Sequence, residues 1–158
     1  MYFYIMNDYI NGTYKVLSIK VDENYLPVGC LTDNSFEESV AMLDTTVRTN
    51  ANGWRSSRPI TQNYSISFSG LVTADSLISG ILTYNDLRNI KRGRQLIEWK
   101  ISADVGADEY GSGYITNLSD TAPLDDFVSF SGGIVGVGET TVNPNIEGAL
   151  DEELNFEL

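Results

Sequence analysis

The sequence contains no histidine and a single cysteine, Cys30, among its 158 residues. Without histidine the chain cannot build the Ser–His–Asp and Cys–His arrangements of common hydrolases, or a Cys/His zinc site. One cysteine also excludes a disulfide framework within the chain. A lone cysteine in an apolar run is typically a small buried side chain, so we expect Cys30 to be buried. We therefore predict a protein that is not an enzyme and that holds no metal ion or cofactor.

Lysine and arginine are absent after Lys100, and residues 101–158 carry the whole net charge of −12. Nucleic-acid binding by counterion release requires clustered lysine and arginine, which this region lacks. Its carboxylates can instead repel nucleic acid, or they can simply keep the protein soluble. A calcium site near Asp104, Asp108 and Glu109 is an alternative. The candidate carboxylates, for a channel wall or a terminal arm, are Asp104, Asp108, Glu109, Asp125 and Asp126.

No apolar run approaches the length of a membrane-spanning helix, and the aromatic N-terminus lacks the basic residues of a signal peptide. We therefore expect a soluble protein of the cytoplasm. Nine tyrosines, with many serine, threonine and glycine residues, favour β structure over helix. We assign residues 1–138 to one β domain, with the N-terminal segment included, and residues 139–158 to an acidic, mobile C-terminal arm.

Alternating side chains predict β-strands in several parts of the chain. Apolar residues at positions 64, 66 and 68 alternate with serines, and those at 97, 99 and 101 alternate with Glu98 and Lys100. Five further strands are predicted at residues 13–21, 27–32, 36–47, 114–118 and 127–137. The apolar phase shifts at Val16–Leu17, which indicates a bulge. The predicted fold class is mainly β, an antiparallel β-sandwich or barrel of about seven strands with one short flanking helix.

The helix is predicted to begin after Thr83, which can form a capping box with Asp86. Gly93 is the expected stop. The basic residues at the C-terminal end of the helix could bind phosphate. The simpler explanation for them is that cations stabilise the negative end of the helix dipole. The residues singled out on this helix and its basic end are Thr83, Tyr84, Leu87, Arg88, Lys91 and Arg92.

Residues 48–59 form a polar segment of about a dozen residues, which is long enough to indicate a functional loop. Trp54 between arginines has the composition of an interface anchor. The alternative is that Trp54 folds back onto the core. The candidate contact residues of this loop are Arg48, Asn52, Trp54, Arg55 and Arg58.

The order of these segments is informative in itself. A strand ending in Ser-Ile-Ser-Phe-Ser-Gly-Leu (residues 65–71) is followed by the helix Thr-Tyr-Asn-Asp-Leu (83–87) and by Arg-Gly-Arg (92–94). The strand Ile-Glu-Trp-Lys-Ile (97–101) and Gly-Ser-Gly-Tyr-Ile-Thr-Asn-Leu (111–118) come next, then Ala-Pro-Leu-Asp-Asp (122–126) and Gly-Val-Gly-Glu (136–139). Over residues 28–139 this succession resembles the major tail proteins of long-tailed bacteriophages and related gene transfer agents.

The resemblance implies a tail tube subunit of the virion, made in the bacterial host cytoplasm. It implies homohexameric rings stacked into a hollow tube that conducts DNA during ejection, with the 48–59 loop reaching the adjacent ring. Both termini are further candidates for contacts between rings. The implied partners are other copies of the chain, the initiator or distal tail, terminator and tape measure proteins, and duplex DNA that passes without sticking.

Two other functions fit the same sequence. One is the tube protein of a contractile injection or secretion system, which shares the ring architecture but carries effectors. The other is a β-sandwich module that binds carbohydrate or a receptor, since exposed tyrosines and Trp54 suit such a role.

Overall fold

The computed structural model describes residues 15–47, 52–73, 80–103 and 107–144. These ranges form seven strands and one helix, α1, at Tyr84–Arg92. The strands are β1 (Val16–Val21), β2 (Asn24–Pro27), β3 (Leu31–Asp44), β4 (Ser57–Leu71), β5 (Ile97–Ser102), β6 (Ala107–Thr121) and β7 (Ser129–Pro144). The predicted segments at residues 13–14 and 145–158 lie outside the described residues.

All seven strands belong to a single antiparallel sheet with the order β2-β1-β5-β6-β7-β4-β3. The prediction of a mainly β fold with about seven antiparallel strands and one helix is confirmed. The long strands β3, β4, β6 and β7 form one half of the sheet, and the shorter β1, β2 and β5 form the other. The short β2 and the long β3 are the two edges of the sheet.

The sheet is curled so that its two halves face each other. The rings of Tyr64 on β4 and Trp99 on β5 have centroids 5.6 Å apart, and Trp99 Nε1 donates to the Tyr64 hydroxyl at 3.2 Å. In a flat sheet these two strands would be about 14 Å apart, because two strands separate them. Near the two edges, the Asn34 amide donates to the Lys15 carbonyl at 3.1 Å. The two layers of the sandwich are therefore halves of one sheet.

The core fills the concave face of this curled sheet. The alternation predicted at residues 64–68 and 97–101 is confirmed, since the apolar members point inward and the polar members outward. The buried apolar side chains of the strands are Leu17, Ile19, Tyr64, Ile66, Phe68, Ile97, Trp99, Ile101, Ile115, Phe130 and Ile134. Helix α1 adds the fully buried Leu87 to the same cluster.

The ends of α1 follow the sequence prediction closely. Asp86 Oδ2 accepts hydrogen bonds from the backbone N–H and the hydroxyl of Thr83, both at 3.1 Å. Gly93 is the C-cap residue, as expected. Its φ is −72°, so it is not in the left-handed conformation that favours glycine. The left-handed residue is Arg94, with φ of 51°.

Three local predictions are wrong. The strands β1 and β5 pair without a register shift, so there is no bulge at Val16; this residue faces outward at the start of β1 and is partly exposed. The run at residues 27–32 is not one strand, because it holds the last residue of β2, the turn at residues 28–30 and the first two residues of β3. Cys30 lies in this turn with φ of 57°, and it is exposed rather than buried.

The strands of the long half extend beyond their predicted limits. Strand β6 covers residues 107–121 instead of 114–118, and β7 continues from Ser129 to Pro144. Residues 139–144, which we assigned to the C-terminal arm, are thus part of β7. Likewise, β4 begins at Ser57, so the last three residues of the predicted 48–59 loop are in a strand. Polar side chains on both faces hid these extensions, because no apolar alternation marks them.

Candidate assembly surfaces

The β3–β4 hairpin continues past the core as an arm. We define the arm as residues 37–44 of β3, 57–63 of β4 and the described residues of the loop that joins them. Every one of these residues is exposed, although the strand pairing continues without a break except for a register shift after Ala41. Its apolar side chains Val40, Met42, Leu43 and Ile60 are about half exposed. The described part of the chain therefore builds a strand pair whose apolar side chains remain about half exposed.

Trp54 lies at the tip of the arm and is 80% exposed. The alternative in which it folds back onto the core is wrong. Arg55 and Asn52 are exposed beside it in the loop, whereas Arg58 lies on β4 opposite Leu43. Arg48 is outside the described residues. Four of the five candidate loop residues are thus placed on the exposed end of the arm.

The base of the tip loop is held by hydrogen bonds rather than by apolar packing. The Thr45 backbone N–H donates to the Ser56 carbonyl at 2.8 Å, which extends the strand ladder by one pair. Asp44 Oδ1 accepts from the Thr46 N–H at 2.8 Å. Hydrogen bonds from the Thr46 hydroxyl and backbone N–H hold the pKa of Asp44 below its usual range.

The helix residues singled out from the sequence divide into two groups. Arg88 stacks over the Tyr84 ring, donates to its hydroxyl at 3.3 Å and lies 4.0 Å from Asp120 on β6. The hydrogen bond to Tyr84 raises the pKa of Arg88. Arg88 thus connects α1 to the sheet. Lys91 and Arg92 lie in the last turn of α1, as the helix-dipole argument predicts. The described residues contain no ion pair of Lys91 or Arg92.

The convex face of the long half carries many hydroxyl and small side chains, together with the exposed Tyr114 and Val135. Cross-strand neighbours there include Ser35, Ser67 and Gly133, and the Ser119 and Ser131 hydroxyls are 2.9 Å apart. We call this set the hydroxyl face: Asp33, Ser35, Glu37, Ser65, Ser67, Ser69, Asn117, Ser119, Ser131 and Gly133. Its two charged members are carboxylates. The short half differs, because its convex face carries Lys20, Lys100 and Glu98.

The candidate carboxylates do not form one group. Asp108 and Glu109 lie at the start of β6, while Asp125 and Asp126 lie in the turn after its other end. These positions are separated by the length of β6, about 45 Å for fifteen residues. Asp104 is outside the described residues. Sequence reasoning missed Asp33 and Glu37 because strand register, which brings them beside the serines, is not visible in one strand alone.

The described ranges contain no cluster of three or more His, Cys, Asp or Glu side chains that could hold a metal ion. Within the same ranges, no helix has both the length and the apolar character needed to cross a membrane.

Comparison with solved structures identifies the fold. The tail of an empty gene transfer agent particle, refined with C6 symmetry, superimposes with a TM-score of 0.70 at 17% identity, covering 84% of this chain and 98% of that chain. The SPP1 tail tube gives 0.68 at 13% identity, covering 94% and 87%. A chain in the baseplate of the anti-feeding prophage gives 0.53 at 6% identity, covering 80% and 91%.

Comparison by sequence gives a family. No curated protein matches this sequence significantly. The family model described as phage tail tube protein matches residues 10–142, which include all of the described strands except the last residues of β7. The chain belongs to the phage tail tube protein family and is a structural protein of the tail tube.

Proposed function

We propose that six copies of this chain close into a ring, and that the rings stack into a hollow tube that conducts DNA during ejection. The observation that carries the proposal is the arm, a strand pair whose apolar side chains are about half exposed and whose tip carries Trp54 at 80% exposure. The C6 symmetry of the gene transfer agent tail, which has the same fold, supports six as the number of copies.

Ring closure would remove the exposed edges of the sheet. The unpaired edge of β3 is fourteen residues long, and such an edge promotes aggregation unless a partner covers it. In a ring with cyclic symmetry, one surface of each copy meets a different surface of the next, so no copy keeps an open edge.

Stacking would use the arm. An exposed tryptophan with adjacent arginines is typical of the residues that contribute most to binding energy. Trp54, Arg55 and Arg58 on the arm therefore contact the adjacent ring, and Arg48 and Asn52 belong to the same contact loop. Residues 145–158 and the N-terminal segment are further candidates for contacts between rings.

The hydroxyl face would line the channel. Duplex DNA binds proteins mainly through lysine and arginine contacts to phosphate, and the hydroxyl face has neither. Asp33 and Glu37, repeated around a ring, would repel phosphate and keep DNA from sticking. Asp104, Asp108, Glu109, Asp125 and Asp126 add negative charge elsewhere on the ring. The chain has no enzymatic activity in this proposal, and the tube ends meet the initiator or distal tail, terminator and tape measure proteins.

Negative-stain electron microscopy at rising protein concentration, with mass measurement of the same sample, tests the proposal. Sixfold rings or tubes with a central channel are expected. A protein that stays monomeric or dimeric at its highest soluble concentration, even when a tail initiator complex is added, contradicts it. A glycan-binding screen would then test the carbohydrate-binding alternative.

A further inference from the structure

The turn between β6 and β7 presents two apolar side chains to solvent. Leu124 is 99% exposed and Phe127 is 76% exposed, with Asp125 and Asp126 between them. Together with Trp54 at the tip of the arm, they are the three most exposed large apolar side chains among the described residues. We call residues 124–127 the end turn. Such side chains on a soluble protein indicate surfaces that a partner covers.

The end turn and the tip of the arm lie at opposite ends of the sheet. Leu71, the last residue of β4, pairs with Ser129, and the Val72 N–H donates to the Val128 carbonyl at 2.8 Å, so the end turn adjoins this end of β4. The arm extends from the other end of β4, which is fifteen residues long. At about 3.3 Å per residue, the strand spans about 50 Å along its length. One copy therefore cannot cover its own end turn with the tip of its own arm.

The two ends carry charges of opposite sign. We define the arm tip as residues 44–47 and 52–58. Its charged residues are Asp44, Arg55 and Arg58, and the Asp44 carboxylate already accepts hydrogen bonds within the loop. None of the ion pairs among the described residues includes either arginine, and none includes Asp125 or Asp126 of the end turn. Two unpaired cations beside an exposed tryptophan thus match two unpaired carboxylates beside an exposed leucine and phenylalanine.

The neighbouring charges leave this match intact. Glu37 and Glu38 lie at the base of the arm, beside the core and away from the tip. Arg88 on α1 lies 4.0 Å from Asp120, just before the end turn, so these two charges offset each other. The other cations of α1 are in its last turn, about 10 Å along the helix axis from Tyr84, which donates to Asp120.

We infer that the arm tip of one copy docks on the end turn of a copy in the adjacent ring. Trp54 packs against Leu124 and Phe127, and Arg55 and Arg58 pair with the two aspartates. A shift of one copy along the strand direction brings these opposite ends together, so the contact repeats from ring to ring along the tube. The inference rests on the proposed stacking of rings, and it names the surface that receives the arm.

Charge reversal tests the pairing. Asp125→Lys with Asp126→Lys should leave rings intact but raise the concentration at which they stack into tubes roughly tenfold or more. Adding Arg55→Asp and Arg58→Asp in the same chain restores opposite charges and should restore stacking. Far-UV circular dichroism checks that each variant is folded, and electron microscopy with sedimentation separates rings from tubes. Unchanged stacking of the first variant, or no recovery in the second, overturns the pairing.

A matched reversal controls for net charge. Asp108→Lys with Glu109→Lys changes the charge by the same amount at the other end of β6. This variant should gain nothing from Arg55→Asp and Arg58→Asp, because its lysines do not meet the arm tip in the inferred contact. Equal rescue of both lysine variants would mean that only net charge matters, and it would overturn the pairing.

Cysteine crosslinking tests the contact without relying on charge. In a Cys30→Ser background, tubes of the variant with Asn52→Cys and Leu124→Cys are treated with a short bismaleimide. Copies should be joined in series along the tube, so the covalent ladder should extend beyond six chains. Asn52→Cys with Asn24→Cys is the matched control and should give no ladder, because Asn24 is exposed in the β1–β2 hairpin on the short half of the sheet. A ladder that stops at six chains places the contact within a ring and overturns the inference, as does an equal ladder in the control.

The two proposals fail in different ways. A wild-type protein that forms tubes, but whose Asn52→Cys and Leu124→Cys variant gives no ladder, contradicts this contact alone. A wild-type protein that forms no tubes contradicts the proposed stacking of rings and this contact together.

Discussion

At the scale of single residues, Tyr64 shows how side chains curl the sheet. Its ring contacts Phe36 and Trp99, and its hydroxyl accepts from Trp99 Nε1 while donating to the Ser112 carbonyl. The opposite strands must leave space for this ring. A Cβ atom at Gly136 would lie 2.2 Å from the Tyr64 ring, so the residue there has to be glycine for the curl to persist.

We expect Gly136→Ala to lower the free energy of unfolding by about 1–3 kcal/mol, the usual cost of overpacking a core. Chemical denaturation followed by tryptophan fluorescence measures it, because Trp99 is buried beside Tyr64. Ser131→Ala on the same strand is the control, since Ser131 is exposed and should change stability by less than about 0.5 kcal/mol. Equal stability of the two variants would contradict the role of Gly136.

At the scale of elements, the sequence predicts the helix and those strands that have one buried face and one exposed face. Thr83 and Asp86 locate α1, and the alternation around Phe68 and Trp99 locates two strands and their inward faces. The arm was predicted only in part, as a strand at residues 36–47 and a contact loop at 48–59. Its β4 half, from Ser57, was missed because side chains exposed on both faces follow no pattern of burial. The pairing of α1 with Asp120 was also out of reach, since it depends on how the sheet curls in three dimensions.

The pH dependence of the arm follows from Asp44. Because the pKa of Asp44 is lowered in the folded chain, its bonds to Thr46 stabilise the loop above the ordinary aspartate pKa of about 3.9. That stability is lost as the pH falls through the lowered pKa. NMR titration should therefore give Asp44 a pKa below the ordinary aspartate value of about 3.9. The Thr46 amide should lose its protection from exchange as the pH falls through that lowered pKa. An Asp44 pKa at or above the ordinary aspartate value contradicts this.

Trp54 should matter for stacking and not for folding. We expect Trp54→Ala to weaken ring-to-ring assembly by roughly 2 kcal/mol, about thirtyfold in the concentration at which tubes form. The circular dichroism spectrum and the unfolding midpoint should stay unchanged, because the side chain is 80% exposed. Trp54→Phe keeps an aromatic ring and should recover part of the loss. Normal tube formation by Trp54→Ala would rule out this role.

At the scale of the whole molecule, charge is distributed unevenly over one continuous sheet. The convex face of the short half carries Lys20 and Lys100 with Glu98, whereas the hydroxyl face of the long half carries carboxylates alone. The net charge of the chain does not reveal this difference between the two halves, because it does not show on which face of the sheet each charged side chain lies. Only the register of β3, β4 and β7 brings the serines together with Asp33 and Glu37.

The hydroxyl face predicts how one substitution would change DNA passage. Ser67→Arg puts one cation per copy on this face, so assembled tubes should bind duplex DNA with an affinity that falls steeply with salt concentration. Wild-type tubes should not bind it. Asn24→Arg adds the same charge in the exposed β1–β2 hairpin and should leave binding unchanged. Fluorescence anisotropy with labelled duplex DNA measures all three, and equal binding by both variants would contradict a channel lined by the hydroxyl face.

The arm also has a consequence for directional growth. It leaves the sheet at one end only, the Ser57 end of β4, and the turn between β6 and β7 lies at the other end. Every copy in a stack would then point the same way, so a tube would have one tip that displays free arms and one that displays only their receiving surfaces. Such a filament is structurally polar, because its two ends present different surfaces. Its two tips would differ in elongation rate, and a capping protein that recognises one tip would not stop growth at the other.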